Sequence, residues 1–160
     1  MFGINIKDHT ATLYDGGSTK FNTTTMSNVG LGVARLCELP ISSSSDDQPS
    51  LSDYKNKFLY LSSFRTTQKE MLAAVQKATG TSASDWKIEH TTAEAFINEG
   101  KERLAKGDFY GMVNMLYGTN MKQGAGGDYE STKGTASKAL GLPKEDMDEV
   151  VKRVVQEVGA

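Results

Sequence analysis

The sequence predicts a small α/β or α+β fold, with a few-stranded sheet and about five helices. Three observations predict it. Short runs rich in β-formers alternate with segments of helical period. Two Thr-x-x-Glu spacings, Thr67 to Glu70 and Thr91 to Glu94, mark helix starts. The 160 residues suffice for one domain with a modest core, so residues 1–160 read as a single domain.

The first strand is "TATLY", Thr10 to Tyr14. Asp15-Gly16-Gly17 follows, and then a second β-like run, "STKFNTT". Asp-Gly between such runs predicts a hairpin, because glycine reaches positive φ without steric cost. From Thr25 the period changes. Val29, Val33, Leu36 and Cys37 share one helical face, which makes Cys37 a core thiol, and the helix ends near Pro40. Residues 42–53 are polar and non-periodic and read as an exposed loop. "KFLYLSSF", residues 57–64, has the composition of a strand buried on both faces.

The Thr67 capping box opens a helix that ends at Gly80 as its C-terminal cap. "WKIEH" alternates, with Trp86, Ile88 and His90 on one face, which makes His90 a partly buried strand residue. The Thr91 box opens a helix through Phe96, Ile97 and Leu104 that stops near Gly107. "DFYGMVNMLYG" predicts a further short helix, and residues 122–134 a flexible loop. In the last helix Met147, Val150, Val151, Val154, Val155 and Val158 repeat at helical spacing, with charge opposite.

Charge and motifs narrow the chemistry. With 18 basic and 20 acidic residues the formal net charge is −2, which offers no general attraction to nucleic acid or to a membrane. No apolar run approaches the roughly 20 residues of a spanning helix. Cys37 is the single cysteine, so no disulfide forms within the chain and a reducing, cytoplasmic setting is expected. Asp15-Gly16-Gly17-Ser18 lacks the G-x-G-x-x-G spacing of a dinucleotide loop and leads into a strand. Gly124-Ala125-Gly126-Gly127 starts such a pattern, but Tyr129 stands in place of the third glycine. His9 and His90 form no ligand-spaced pair. Glu145, Asp146, Asp148 and Glu149 suit the positive end of a helix dipole. The residues therefore assign no catalytic and no metal-binding role. Phe109, Met112, Met115, Tyr117 and Met121 combine rings with flexible thioethers, which suits either an adaptable apolar pocket or ordinary core around a short helix.

Taken in order, "FGINIKDHTATLYDGGSTKFNTTTMSNVGLGVARL", "NKFLYLSSFRTTQKEMLAAVQKATG", "KIEHTTAEAFINEGKERLAKGDF", "GGDY" and "LGLPKEDMDEVV" resemble the C-terminal half of fungal NmrA-like, isoflavone-reductase-like proteins. That family consists of atypical short-chain dehydrogenases. The resemblance implies the substrate-binding part of an NAD(P)H-dependent oxidoreductase, with a small apolar or aromatic ligand. It matches Asp15, Gly16 and Gly17 to a turn, and Thr23, Thr24 and Thr25 to the entry of the next helix. Gly126, Gly127 and Asp128 match a late loop near the substrate cleft, which adds Tyr129 to the candidate ligand-binding residues. The family's dinucleotide loop and catalytic lysine lie N-terminal to the matched region, so no cofactor is expected on this chain alone. NADP is implied for full-length relatives. The alternative to a ligand-binding fragment is a non-enzymatic module that docks on a full-length relative. Self-association through residues 58–61 is the other partner expectation.

Overall fold

The computed structural model describes residues 2–43, 45 and 48–159. Its fold is mixed α/β, with six α-helices and two small sheets of three and two strands among these residues. Within the span 1–160 the backbone packs as two compact units. The first comprises Met1–Phe21, Thr66–Asp128 and Asp146–Ala160, and the second Asn22–Arg65 and Tyr129–Glu145.

The first unit is built on strands β1 (Ile4–Asn5), β2 (Thr10–Tyr14) and β5 (Lys87–Thr91), in the order β1-β2-β5. β1 lies antiparallel to β2 with Ile4 opposite Ala11, and β5 lies parallel with Ala11 opposite Ile88. Helix α2 (Gln68–Thr79) starts at the expected capping box, where Thr67 accepts from Glu70 N–H and Glu70 accepts from Thr67 N–H. Gly80 ends α2 in the left-handed conformation at φ 68°. Helices α3 (Ala93–Ala105) and α4 (Tyr110–Met121) follow, and α6 (Met147–Val158) packs on α2. One core cluster joins Ala11, Leu13, Leu72, Val75 and Trp86, with Val151 against it. Another joins Tyr14, Phe21, Ala93 and Met121.

The second unit holds helix α1 (Met26–Glu38), the five-residue helix α5 (Tyr129–Lys133) and most of the pair β3 (Phe21–Thr23) and β4 (Phe64–Thr66). Its interior combines buried Leu140 with a polar network. Asn22 donates to Ser62 Oγ and to Glu130 Oε2, both at 2.8 Å, and Glu145 accepts from Thr25 and Ser63.

Several elements differ from the sequence-based expectation. The Asp15–Gly17 turn exists, but it closes no hairpin. Asp15, Gly16 and Gly17 hold φ of 47°, 73° and 68° in succession, where a tight hairpin turn uses two such residues. β2 pairs with β1 and β5, while β3 pairs with β4.

The strand expected over 57–64 begins only at Phe64. Residues 60–62 instead bond to the segment around α5. Tyr60 C=O accepts from Ala136 N–H at 2.8 Å, Ser62 N–H donates to Ser137 Oγ at 3.0 Å, and Tyr129 OH donates to Leu61 C=O at 2.6 Å. These bonds satisfy the backbone without a strand neighbour. Phe58 is 86% exposed, not buried.

Helix α1 is also rotated. Its buried residues are Asn28 and Gly32, while Val29, Val33 and Cys37 are exposed. Asn28 donates to Ser63 Oγ and to Pro143 C=O, and a Cβ at Gly32 would stand 2.5 Å from Leu61 Cδ1. Hydrogen bonding and close approach set the helix's orientation, so Cys37 is no core thiol.

Smaller differences complete the picture. The N-cap of α3 is Thr92, one residue beyond the expected Thr91, and it accepts from Ala95 N–H. Tyr129–Lys133 is helical within the expected loop. His90 is exposed, near the end of β5, which is an edge strand of its sheet and so has a neighbour on one side only. In the 42–53 stretch, residues 44, 46 and 47 lie outside the described residues. Ser42 and Asp53 are exposed, whereas Ser50 is buried and caps a 3-10 turn over Leu51–Tyr54.

Candidate functional site

The first unit carries a groove of about 320 Å³ beside the β1–β2 ribbon. Its construction starts at Gly3, where φ is +74° and a Cβ would collide with the Thr12 carbonyl oxygen. Only glycine fits a backbone that close. Thr12 N–H donates to Gly3 C=O at 2.7 Å, which holds the N-terminal segment along β2.

Gln68, the first residue of α2 and 1% exposed, fastens the same strands. Its Oε1 accepts from Tyr14 N–H at 2.8 Å, and its Nε2 donates to Phe2 C=O at 2.8 Å and to Thr12 C=O at 3.0 Å. One amide side chain thus satisfies three backbone groups that the short ribbon leaves unpaired.

That framework places four rings around the groove: Phe2, Tyr14, Phe96 and Tyr117. Phe2 meets Tyr117 edge-on with centroids 4.9 Å apart, and Tyr14 stacks on Phe96 at 4.6 Å. Both are favourable aromatic geometries. Phe21, fully buried, backs Phe2 at 5.6 Å. Asn114 supplies a polar group in the wall, and its Nδ2 donates to Glu99 Oε1 at 3.3 Å. Asn5, Thr10 and Thr12 also line the hollow, and this mixture of rings with polar side chains suits a small planar ligand bearing polar groups.

Burial, followed by the Glu99 carboxylate, pushes the Tyr14 phenol up to about 12. The sign of the resulting pH dependence follows. The unfolded phenol loses its proton near 10 and the folded one near 12, so stability present below pH 10 is lost as pH rises through that window. Melting curves of wild type should therefore fall more steeply with pH above 10 than those of Tyr14→Phe; parallel curves would show that Tyr14 is open to water.

A second hollow of about 350 Å³ shares Tyr14 and Phe96 and is lined by Glu89, His90 and Glu99. A third, of about 500 Å³ at α2 and α6, is bordered by Lys77, Asp148, Glu149 and Lys152, with Lys77 and Asp148 ion-paired. With Asp146, two lysines face three carboxylates there, a mixed-charge arrangement like that of an ordinary solvated face.

Of the five expected ligand-binding residues that lie in the first unit, one lines the groove. Tyr117 lines the groove. Met121 is 1% exposed in the core beneath it, and Met115 is half-buried against α3. Phe109 and Met112 are 75% and 58% exposed. Tyr129 belongs to the second unit, where its ring lies 5.1 Å from Tyr60 and burial pushes its phenol up. Lys133 donates to Tyr60 OH at 3.0 Å in the same cluster. Sequence reasoning missed Phe2, Tyr14, Phe96 and Asn114; the one available signal was the aromatic content of the segments flanking the β2 strand.

Neither glycine cluster has the form of a dinucleotide site. Asp15–Gly17 runs on toward β3 and not into a helix. A Cβ at Gly127 would fall on the Asn120 carbonyl oxygen, so the chain is closely packed there, and the helix that follows, α5, has only five residues. Among the described residues no group of three or more His, Cys, Asp or Glu side chains could hold a metal, and no helix is long and apolar enough to cross a membrane.

No family model matches the chain, and no solved structure matches it. Curated proteins do. The chain is 28% identical over 156 residues to the oxidoreductase aprR of Aspergillus flavus, an alignment covering 98% of this chain and 48% of that protein. It is 27% identical over 158 residues to the oxidoreductase poxI of Penicillium oxalicum, covering 98% of this chain and 46% of that protein. The chain thus spans about half the length of the curated relatives it matches, and it is similar to fungal oxidoreductases along nearly all of its own length.

Proposed function

We propose that this chain is the ligand-binding half of an NmrA-like, isoflavone-reductase-like oxidoreductase and holds a small apolar or aromatic molecule in the groove at Tyr14. The convergence of Phe2, Tyr14, Phe96 and Tyr117 on one hollow carries this reading. Similarity to two proteins named as oxidoreductases supports the reaction class. In this reading NADP supplies the hydride chemistry from residues outside this chain. The chain itself binds, orients and desolvates the ligand, with rings on its faces and Asn114 at its polar edge.

Calorimetric titration with a panel of small phenols tests the proposal, with NADPH as a separate arm. The expected result is saturable binding of a phenol, weakened roughly tenfold or more by Tyr117→Ala, as for loss of one aromatic contact. NADPH should give no saturable heat. Saturable NADPH binding without phenol binding would overturn the reading.

A second reading, a non-enzymatic module docking on a full-length relative, is favoured by the exposed apolar side chains of the second unit. Met26, Val33 and Phe58 are 84%, 55% and 86% exposed. A folded chain that binds no phenol but forms a complex with such a relative would establish this reading instead.

A further inference from the structure

Helix α4 has two faces of similar apolarity. Its inner face packs on α3 through Gly111, Asn114 and Gly118. Its outer face, with the preceding Phe109, presents Tyr110, Met112, Val113 and Leu116, exposed by 75% at Phe109 and by 72%, 58%, 36% and 68% at the others. No charged residue occurs from Tyr110 to Met121. A helix apolar all round is normally covered on all sides.

We infer that a second copy of this chain covers the outer face of α4, with the two helices antiparallel about a two-fold axis. Three features favour that occupant. First, Phe109, Met112, Val113 and Leu116 stand at i, i+3, i+4 and i+7. That spacing reads the same in both directions, so two-fold pairing sets Phe109 against Leu116 of the second copy and Met112 against its Val113. Second, an uncharged stripe meets its own copy without like-charge repulsion. Aromatic residues and methionine are enriched, and acidic residues and lysine depleted, at such interfaces. Third, the exposed side chains offer on the order of 600 Å² per copy, so a pair buries at most roughly 1,200 Å², which reaches the lower end of specific stable interfaces. Val113 also lines the groove, so the paired face borders that site, although the pairing itself requires no ligand there. It also moves the expected self-association away from residues 58–61, which form no strand edge.

Sedimentation across a micromolar-to-millimolar series tests it, on wild type, Leu116→Asp, Met112→Lys and Val33→Asp. Wild type should approach twice the mass of one chain at the upper end. Leu116→Asp and Met112→Lys should stay at the mass of one chain with unchanged circular dichroism, since both side chains are exposed in a single copy. Val33→Asp, on the exposed stripe of α1, should dimerise like wild type. Should Leu116→Asp fail to fold, Met112→Lys decides alone. A wild type that stays single at all concentrations overturns the inference. So does a dimer that survives both α4 substitutions, or one abolished by Val33→Asp.

Discussion

Gly111→Ala should lower the melting temperature by roughly 5–10 °C, on the order of 2–3 kcal/mol. The direction is informative, because alanine is the better helix former. In an open helix the change would stabilise by about 1 kcal/mol. Here the added Cβ would fall on the Gly100 carbonyl oxygen and stand 2.8 Å from Leu104 N. Both are backbone atoms and cannot swing aside. Conversely, a Cβ at Gly100 would stand 2.6 Å from the Gly111 carbonyl oxygen, so the two glycines set the distance between α3 and α4. Gly118 repeats the contact two turns later, against Ile97 Cγ1 at 2.7 Å. Forcing the helices apart would also shift Phe96 and Tyr117, which wall the groove from α3 and α4. Thermal denaturation decides the matter, and a raised melting temperature would mean that the helices are not in contact.

Gln68→Leu should be at least as damaging, about 3–5 kcal/mol, because it removes one buried and two half-buried hydrogen bonds at once and leaves their partners unpaired. Those partners are Tyr14 N–H, Phe2 C=O and Thr12 C=O. Leucine nearly matches the volume, so the loss is not chiefly one of packing. Gln68→Glu sharpens the test: the carboxylate could still accept from Tyr14 N–H, but it would face two carbonyl oxygens with no proton to give. The glutamate variant should therefore be less stable at neutral pH than in mild acid, where the protonated side chain can donate again. Melting both variants across pH checks this. A wild-type-like melting temperature for Gln68→Leu would show that the amide is solvated.

Local signals were legible in the sequence, and long-range ones were not. The capping box at Thr67 and Glu70, the left-handed Gly80 and the limits of α6 each depend on residues within one or two turns, and each lies where the spacing places it. The orientation of α1 depends on Asn28 reaching Ser63 and Pro143, and on Gly32 meeting Leu61 and Leu142. No helical period encodes those partners, so the apolar stripe named the wrong face. Residues 57–63 have a strand's composition, but the backbones of Tyr60 and Ser62 hydrogen-bond to the chain beyond α5, while Ser63 N–H reaches β3, at Thr23 C=O.

The candidate site follows the same division. The sequence marks the Phe109–Met121 concentration of rings and thioethers, and the fold disperses it. Met121 goes to the core, Tyr117 to the groove, and Phe109 and Met112 to the outer face of α4. The groove's other rings come from positions 2, 14 and 96, which only the pairing of β1 with β2 and the packing of α3 bring together. No sequence pattern singles out Gln68, because its role depends on strand residues more than 50 positions away.

The central claim is that the ring-lined groove of the first unit is where a ligand sits. Nuclear magnetic resonance mapping of the chain during titration with a small phenol tests it most directly. The expected result is a set of saturable shifts centred on Phe2, Tyr14, Phe96, Asn114 and Tyr117, the residues that line the groove. Saturable shifts centred instead on Tyr60, Tyr129 and Lys133 in the second unit, or none at any phenol concentration, would contradict it.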